Sequence, residues 1–320
     1  MRAVRHHAFG APDVLTVEEL PDLAPAAGEV RIAVRAAGVH LLDTTLRRGE
    51  PGGPMALLDL PTVPGREVAG TVDALGDDVD PFWLGRRVVA HLGMVPGGYA
   101  DQAVAATGLL FDVPGHVPFP DAVAAVGTGR TAQGVLELEP PAPDDVVLVP
   151  SAAGGLGWLL ARSALAAGAR VVAAAGGPER VAVLERLGTQ VVVDYTDEGW
   201  ADRVEPVSLV YDGVGGDLGR QCLELLRPGG RLVMFGFSAG TPTRFDSGDL
   251  VARGLTAGWS LGPRMLALPG GIPGLARRAL DRVAAGEWQP LVTTYPLAEA
   301  ARAHADLEGR RALGKVVLVP

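Results

Sequence analysis

Residues Val146–Gly157 read VVLVPSAAGGLG, an apolar run that passes through a glycine-rich turn into the apolar stretch Trp158–Ala167. An unbroken run such as Asp145–Val149 suits a strand of a parallel sheet buried on both faces. The turn spells A-x-G-x-x-G at Ala152, Gly154 and Gly157. Gly154 lets backbone approach a pyrophosphate, and Gly157 lets helix and strand pack closely. The helix that follows presents N–H groups and the positive end of its dipole at the turn. A strand, a turn and a helix in this order form the context of a dinucleotide fingerprint, with Ala152 in place of its first glycine.

The rest of the chain divides around this segment. Residues 1–119 hold short apolar runs between Gly and Pro turns: Val30–Ala36, Glu67–Leu75, Arg87–Leu92 and Gly98–Val104. After Pro120 the pattern changes to a helix over Asp121–Leu138, with Asp121 as N-cap, and then to alternating strands and helices. The strands are Asp145–Val149, Arg170–Ala174, Val191–Asp194, Leu209–Asp212 and Gly230–Phe235, with Leu255–Ser260 as a further one. The helices between them are Gly157–Ala167, Glu179–Leu187 and Leu218–Leu226. This alternation predicts a doubly wound α/β sheet. Helices at Pro273–Ala285 and Leu297–Glu308 and a strand at Lys315–Val319 close the chain. The expected organisation is a Rossmann domain over 120–263, inserted between 1–119 and 264–320 of a β-rich domain.

Charge and composition exclude other classes. The chain has 320 residues, a net charge of -9 and no basic run, so nucleic acid is not an expected partner. Cys222 is the one cysteine, which allows neither an internal disulfide framework nor a cysteine metal cluster. Its place on an amphipathic helix marks it as a buried small hydrophobe. The opening MRAVRHHAFGAP lacks the apolar core of a signal peptide, and no apolar stretch reaches about 18 residues, so a cytoplasmic protein off the membrane is expected. An NAD site places a carboxylate at the end of the second strand, roughly 20 residues beyond the turn. Here that place reads Ala173-Ala174-Ala175-Gly176-Gly177-Pro178-Glu179-Arg180. The strand end carries no carboxylate, the glycines leave room, and Arg180 stands one helical turn on. A 2′-phosphate fits there, so NADPH is the expected cofactor.

The turn Ala152–Gly157 (AAGGLG) resembles the AAGGVG loop of the zinc-independent quinone oxidoreductases, the zeta-crystallin-like branch of the medium-chain dehydrogenase/reductase superfamily. Other segments resemble that family in order and spacing: Leu60–Val72 (LPTVPGREVAGTV), Gly97–Asp101 (GGYAD), Thr128–Ala132 (TGRTA), Tyr211–Gly216 (YDGVGG), Leu226–Gly230 (LRPGG), Phe235–Gly240 (FGFSAG) and the tail Tyr295–Leu318. The resemblance covers essentially the whole chain. It implies an α/β protein with a GroES-like β domain and a Rossmann domain, and a homodimer in which the strand near Leu255–Ser260 pairs across the two-fold. It also implies hydride transfer from NADPH to a small-molecule quinone or α,β-unsaturated carbonyl. As cofactor contacts it implies Thr131, Ala153, Gly154, Gly155, Leu156, Gly176, Arg180, Tyr195, Phe235, Gly236 and Ser238, with Lys315 reaching a phosphate.

The zinc-using branch carries G-V-C-x-x-D and G-H-E. Here these read Gly38-Val39-His40-Leu41-Leu42-Asp43 and Gly65-Arg66-Glu67. A guanidinium cannot ligate, and a metal site needs about three protein ligands, so no metal is expected. In the zinc-independent family the first segment usually reads V-N-x-x-D-T-Y-x-R-x-G. His40 stands for the Asn and Thr45 for the Tyr. His40 is the candidate hydrogen-bond or proton donor, Thr45 a weaker donor, and His91, ahead of GGYAD, a third candidate. Asp43 and Arg47 read as a structural ion pair, and His6, His7, His116 and His304 as surface or capping residues. Gly49–Leu60 is Gly- and Pro-rich and could serve as a lid. Two alternative activities use the same scaffold: an enoyl-thioester reductase, and a low-turnover NADPH-binding regulatory protein.

Overall fold

The computed structural model describes residues 1–50, 57 and 59–320; most of the Gly49–Leu60 lid segment lies outside them. The chain runs β1 (Arg2–Arg5), β2 (Thr16–Glu19), β3 (Glu29–Val39), α1 (Leu41–Arg47), β4 (Glu67–Leu75), β5 (Arg87–His91), β6 (Gln102–Ala106), β7 (Leu110–Asp112) and α2 (Phe119–Ala124). It continues through α3 (Arg130–Leu138), β8 (Val146–Val149), α4 (Gly155–Ala166), β9 (Arg170–Ala175), α5 (Pro178–Leu184), β10 (Val191–Asp194), β11 (Val207–Asp212), α6 (Gly216–Glu224), β12 (Leu226–Met234), α7 (Ser247–Arg253) and β13 (Thr256–Trp259). Last come α8 (Pro263–Leu266), α9 (Gly271–Ala284), β14 (Val292–Pro296), α10 (Ala300–Glu308) and β15 (Lys315–Val319). No helix among the described residues is long and apolar enough to cross a membrane.

Two compact units result: Met1–Thr128 with Ala279–Pro320, and Gly129–Arg278. The second begins later than the Rossmann segment read from the sequence. The reason is that α2 belongs with the β-rich unit, where Val123 sits against Gly38 of β3. It also ends later, because Met265 of α8 covers Gly134 of α3.

The β-rich unit is built on β3. Its alternating pattern puts Val30, Ile32 and Val34 inward while Glu29, Arg31 and Ala33 are less buried, as period-2 strands do. The large sheet runs β14-β15-β3-β4-β5-β7, with β6 also on β3. Its core is aliphatic, with Tyr99 and Tyr295. Two corrections to the sequence reading fall here. The strand expected at Gly98–Val104 begins only at Gln102, and α1 was not expected at all, since seven residues are too few to display a helical period.

In the inner unit all neighbouring strands are parallel, in the order β10-β9-β8-β11-β12-β13. Relabelled by chain order this is 3-2-1-4-5-6, the doubly wound dinucleotide-binding arrangement, whose order reverses between β8 and β11. All four residues of β8 are buried, as its uninterrupted apolar run requires. The long helix expected at Asp121–Leu138 is instead α2 and α3 joined by a π turn at Ala125–Gly129, and α2 starts at Phe119 with Pro118 as N-cap. Gly127 explains the wide turn: its backbone lies against the Glu67 carboxylate, where a Cβ would come within 2.4 Å of both oxygens. The LRPGG segment Leu226–Gly230 is the start of β12, so this strand begins ahead of the expected Gly230.

Candidate active site

The inner unit gathers three loops at the carboxyl ends of its strands. After β8, Gly154 caps α4, and the first bond of the helix runs from Trp158 N–H to the Gly154 carbonyl at 2.9 Å. The N–H groups of Gly155, Leu156 and Gly157 precede it and are available to an anion. Gly157 admits no side chain, because a Cβ would lie 2.1 Å from the Ser151 carbonyl oxygen. Trp158 is buried.

After β9 the chain turns through Gly176 and Gly177. The Tyr195 ring lies over Gly176, where a Cβ would sit 2.6 Å from Tyr195 Cε2. Arg180 donates to the Gly176 carbonyl at 2.5 Å. Asp194, a carboxylate at the end of β10 rather than of β9, accepts from Gly177 N–H at 3.0 Å and Thr196 N–H at 2.9 Å. Burial raises its pKa, but the Thr196 and Gly177 donors outweigh this and hold it below the ordinary value. Its oxygens therefore fasten the glycine turn.

The loops after β11 and β12 are laced together. Ser238 N–H donates to Gly213 O at 3.1 Å and Ala239 N–H to Val214 O at 2.8 Å. The buried Asp212 carboxylate accepts from Val214 and Gly215 N–H at 2.8 and 2.9 Å. Phe235 lies over Gly213, and Gly236 approaches the Gly213 carbonyl. Of the expected cofactor contacts, Ala153–Leu156 lie on the first loop, Gly176, Arg180 and Tyr195 on the second, and Phe235, Gly236 and Ser238 on the third. Thr131 is on the first turn of α3.

The β-rich unit holds a second cluster, made by sheet register. Glu67 of β4 pairs directly with His91 of β5, and Val316 of β15 with Val39 of β3, so Lys315 comes opposite His40. Glu67 is wholly buried and His40 is 27% exposed. His40 Nε2 makes a very short contact with Glu67 Oε1. Lys315 Nζ donates to Glu67 Oε2 at 3.0 Å and stands 2.9 Å from His40 Nε2. His91 Nε2 is 3.8 Å from Glu67 Oε1, and its Nδ1 accepts from Gly93 N–H at 3.0 Å. Burial pushes the Glu67 pKa up, but His40 and Lys315 overcome it and hold the carboxyl well below the usual range.

Three sequence expectations change here. Lys315 is buried against Glu67 and His40, so its ammonium is occupied there rather than offered to a phosphate. Glu67, which the sequence offers as the start of a strand and not as a site residue, is the hub of the cluster. Asp43 pairs with Arg66 at 3.6 Å, and Arg47 with Glu308 at 2.7 Å, rather than with each other. Thr45 turns its hydroxyl back to the Leu41 carbonyl at 3.3 Å. His6 and His304 are buried, not surface residues, whereas Cys222 is buried as expected. Gly38 and Gly127 both lie against the Glu67 carboxylate, a packing that the fold alone creates.

Residues 26–115 match the family model described as alcohol dehydrogenase GroES-like domain, and residues 187–318 that of zinc-binding dehydrogenase. The chain is thus built as a medium-chain dehydrogenase/reductase. It is 32% identical to the quinone oxidoreductase of Pseudomonas aeruginosa over 100% of this chain and 99% of that protein. It is 31% identical to the 2-haloacrylate reductase of a Burkholderia species, over 98% and 97%. The Escherichia coli quinone oxidoreductase, solved in complex with NADPH, superposes with a TM-score of 0.85 at 28% identity and covers 100% of both chains. The chain belongs to the quinone oxidoreductase family.

Proposed function

We propose that this protein is an NADPH-dependent reductase of quinones or α,β-unsaturated carbonyls that works without zinc. The observation that carries the reading is the turn from β8 into α4, where Gly157 leaves no room for a Cβ and three N–H groups point out of a helix start. These residues fit a pyrophosphate. Ala153–Leu156 would hold it, Gly176, Arg180 and Tyr195 the adenosine phosphate end, and Phe235, Gly236 and Ser238 the nicotinamide half. Bound there, NADPH supplies the hydride.

The chain's own share is a positioned donor for the oxygen of the acceptor. His40 is that donor, held in orientation by Glu67. Thr45 and His91 are assigned no proton transfer. Zinc does not fit the donor set: Arg66 cannot ligate, and the Lys315 ammonium stands within 3.0 Å of both His40 Nε2 and Glu67 Oε2, where a divalent ion would meet a buried cation. The similarity to a 2-haloacrylate reductase favours a conjugated acid as a second acceptor class beside quinones.

Titration with NADPH and NADH, followed by addition of a benzoquinone or an enone, tests the reading. NADPH is expected to bind more tightly and to be oxidised only with the acceptor; tight binding without turnover would favour the regulatory alternative. Arg180→Ala is expected to raise the NADPH Kd about tenfold, equivalent to about 1.4 kcal/mol for a charge-assisted bond, and to leave NADH unchanged. Equal weakening of both would remove Arg180 from the phosphate site.

The protein is further proposed to be a cytoplasmic homodimer. Among the described residues strand β13 ends the inner sheet with one edge unpaired, and Trp259 and Phe237, with ring centroids 6.1 Å apart, are both substantially exposed. Light scattering is expected to give twice the chain mass for the parent and the chain mass for Trp259→Glu.

A further inference from the structure

Between Phe237 and Arg244, on the segment that leaves β12, Thr243 alone is buried and every other residue is exposed. A stretch with so few buried contacts opens readily unless it is tied down. Its first part is held by backbone. Ser238 and Ala239 N–H donate to the carbonyls of Gly213 and Val214, and the Thr241 carbonyl accepts from Gly216 N–H at 2.8 Å. Its far end is held by one side chain: the hydroxyl of Thr243, which is 7% exposed, donates to Asp212 Oδ2 at 2.5 Å.

The opposite side of this contact is shaped to receive the hydroxyl. Asp212 ends β11 and is 0% exposed. Among the described residues its carboxylate meets neutral donors only: Val214 and Gly215 N–H on Oδ1, and Thr243 on Oδ2. A buried carboxylate is costly unless such donors satisfy it. Helix α6 makes room for the pair by carrying glycine at its fourth position. A Cβ on Gly219 would fall 2.0 Å from Thr243 Oγ1 and 2.8 Å from Asp212 Oδ2. Glycine inside a helix is itself destabilising, so the space calls for a reason. Gly215 admits the segment in the same way, with the Thr241 carbonyl oxygen 2.3 Å from where its Cβ would stand. The N–H groups of Val214, Gly215 and Gly216 are thereby engaged within the chain. The YDGVGG turn serves the segment laid over it rather than an anion.

We infer that Asp212 and Thr243 are positioning residues for the nicotinamide half of the cofactor: the hydroxyl ties the far end of the Phe235–Thr243 segment to a fixed carboxylate and so presets the backbone of Phe235, Gly236 and Ser238. The inference rests on the proposed assignment of those three residues to the nicotinamide half. Asp212 is wholly buried and acts through the segment. A segment ordered before the ligand arrives removes the entropy of ordering it from the cost of binding. The loop assigned to the adenosine end is fastened separately, by Asp194 on Gly177 N–H at 3.0 Å. The Thr243 tie therefore bears on one half of NADPH and not on the other.

Calorimetric titration of the whole chain with NADPH and with adenosine 2′,5′-bisphosphate, the adenosine end of the cofactor without its nicotinamide, separates the two halves. Thr243→Val keeps the side-chain shape and removes the hydroxyl. It is expected to raise the NADPH Kd about tenfold, the size of one hydrogen bond to a charged group, and to leave the Kd of the bisphosphate unchanged. Thr243→Ser keeps the hydroxyl and is expected to bind NADPH as the parent does. If Thr243→Val does not fold, Thr243→Ala against Thr243→Ser decides. Equal weakening of both ligands would mean a general loss of structure and overturns the inference, as does an NADPH Kd that is the same in every variant. A parent that binds neither ligand overturns the cofactor assignment and the inference with it. Selective loss of NADPH in a protein that reduces no quinone or enone supports the tie and counts against the reductase reading alone.

Discussion

His40→Ala is expected to lower kcat for quinone or enone reduction about 100-fold, at the lower end of what a positioned acid contributes, and to leave the NADPH Kd unchanged. The split follows from where the residue sits. His40 lies in the β-rich unit, at the end of β3, whereas every loop assigned to the cofactor belongs to the inner unit. Its ring is partly exposed while its anchor, Glu67, is not. Removing the ring therefore takes away the donor and leaves the binding surface for NADPH intact. Pre-steady-state kinetics with saturating NADPH check this. A kcat unchanged within about threefold would leave solvent as the proton source and take His40 out of the reaction. His40→Gln keeps an N–H but cannot cycle a proton, and it separates hydrogen bonding from proton transfer.

The inner unit was legible in the sequence because its signals are local. One unbroken apolar run, three small residues at fixed spacing and a helix identify β8, the turn and α4, and the βα alternation predicts the doubly wound parallel sheet that the structure has. The second cluster was not legible, because its members meet only through pairing. His40 and Lys315 are separated by 275 positions, and Glu67 and His91 touch because β4 and β5 are in register. No periodicity reports such a meeting. The same limit explains Lys315: at the end of G-K-x-x-L it resembles a phosphate contact, but the partner of β15 is β3, which carries it to Glu67. Asp194 carries no local signal, because the fingerprint places its carboxylate at the end of β9, whereas Asp194 ends the neighbouring parallel strand β10 at the same level.

Stability is expected to fall by about 3 kcal/mol between pH 6.5 and about 4 through His304 alone. The argument begins at Asp43, which fixes α1 behind His40. Asp43 Oδ2 accepts from the His40 backbone N–H at 2.8 Å and from the Tyr99 hydroxyl at 3.2 Å. That hydroxyl has one proton, so in its 3.1 Å pair with His304 the donor is His304 Nε2. His304 Nδ1 is then an unprotonated nitrogen, buried with no hydrogen-bond partner among the described residues. Burial is the largest cause that lowers this ring to about 4, against the opposing pull of Asp43. The sign follows directly. Above pH 6.5 the ring is neutral in both states and costs nothing. Below it the unfolded chain binds a proton that the native chain refuses, so the native state loses ground until about pH 4, where it too is protonated and the loss stops. His6 is also lowered by burial and acts in the same direction. Glu67 is held well below 4.5 and loses its contribution as pH falls below that value, so it adds to the acid end of the curve. His304→Gln retains an N–H for Tyr99 and cannot titrate. Urea unfolding of the parent and this variant across pH 7 to about 4 isolates the term: the parent curve is expected to be steeper by about 3 kcal/mol over the window, and parallel curves would mean that the ring is protonated within the fold and that the Tyr99–Asp43 network holds an imidazolium.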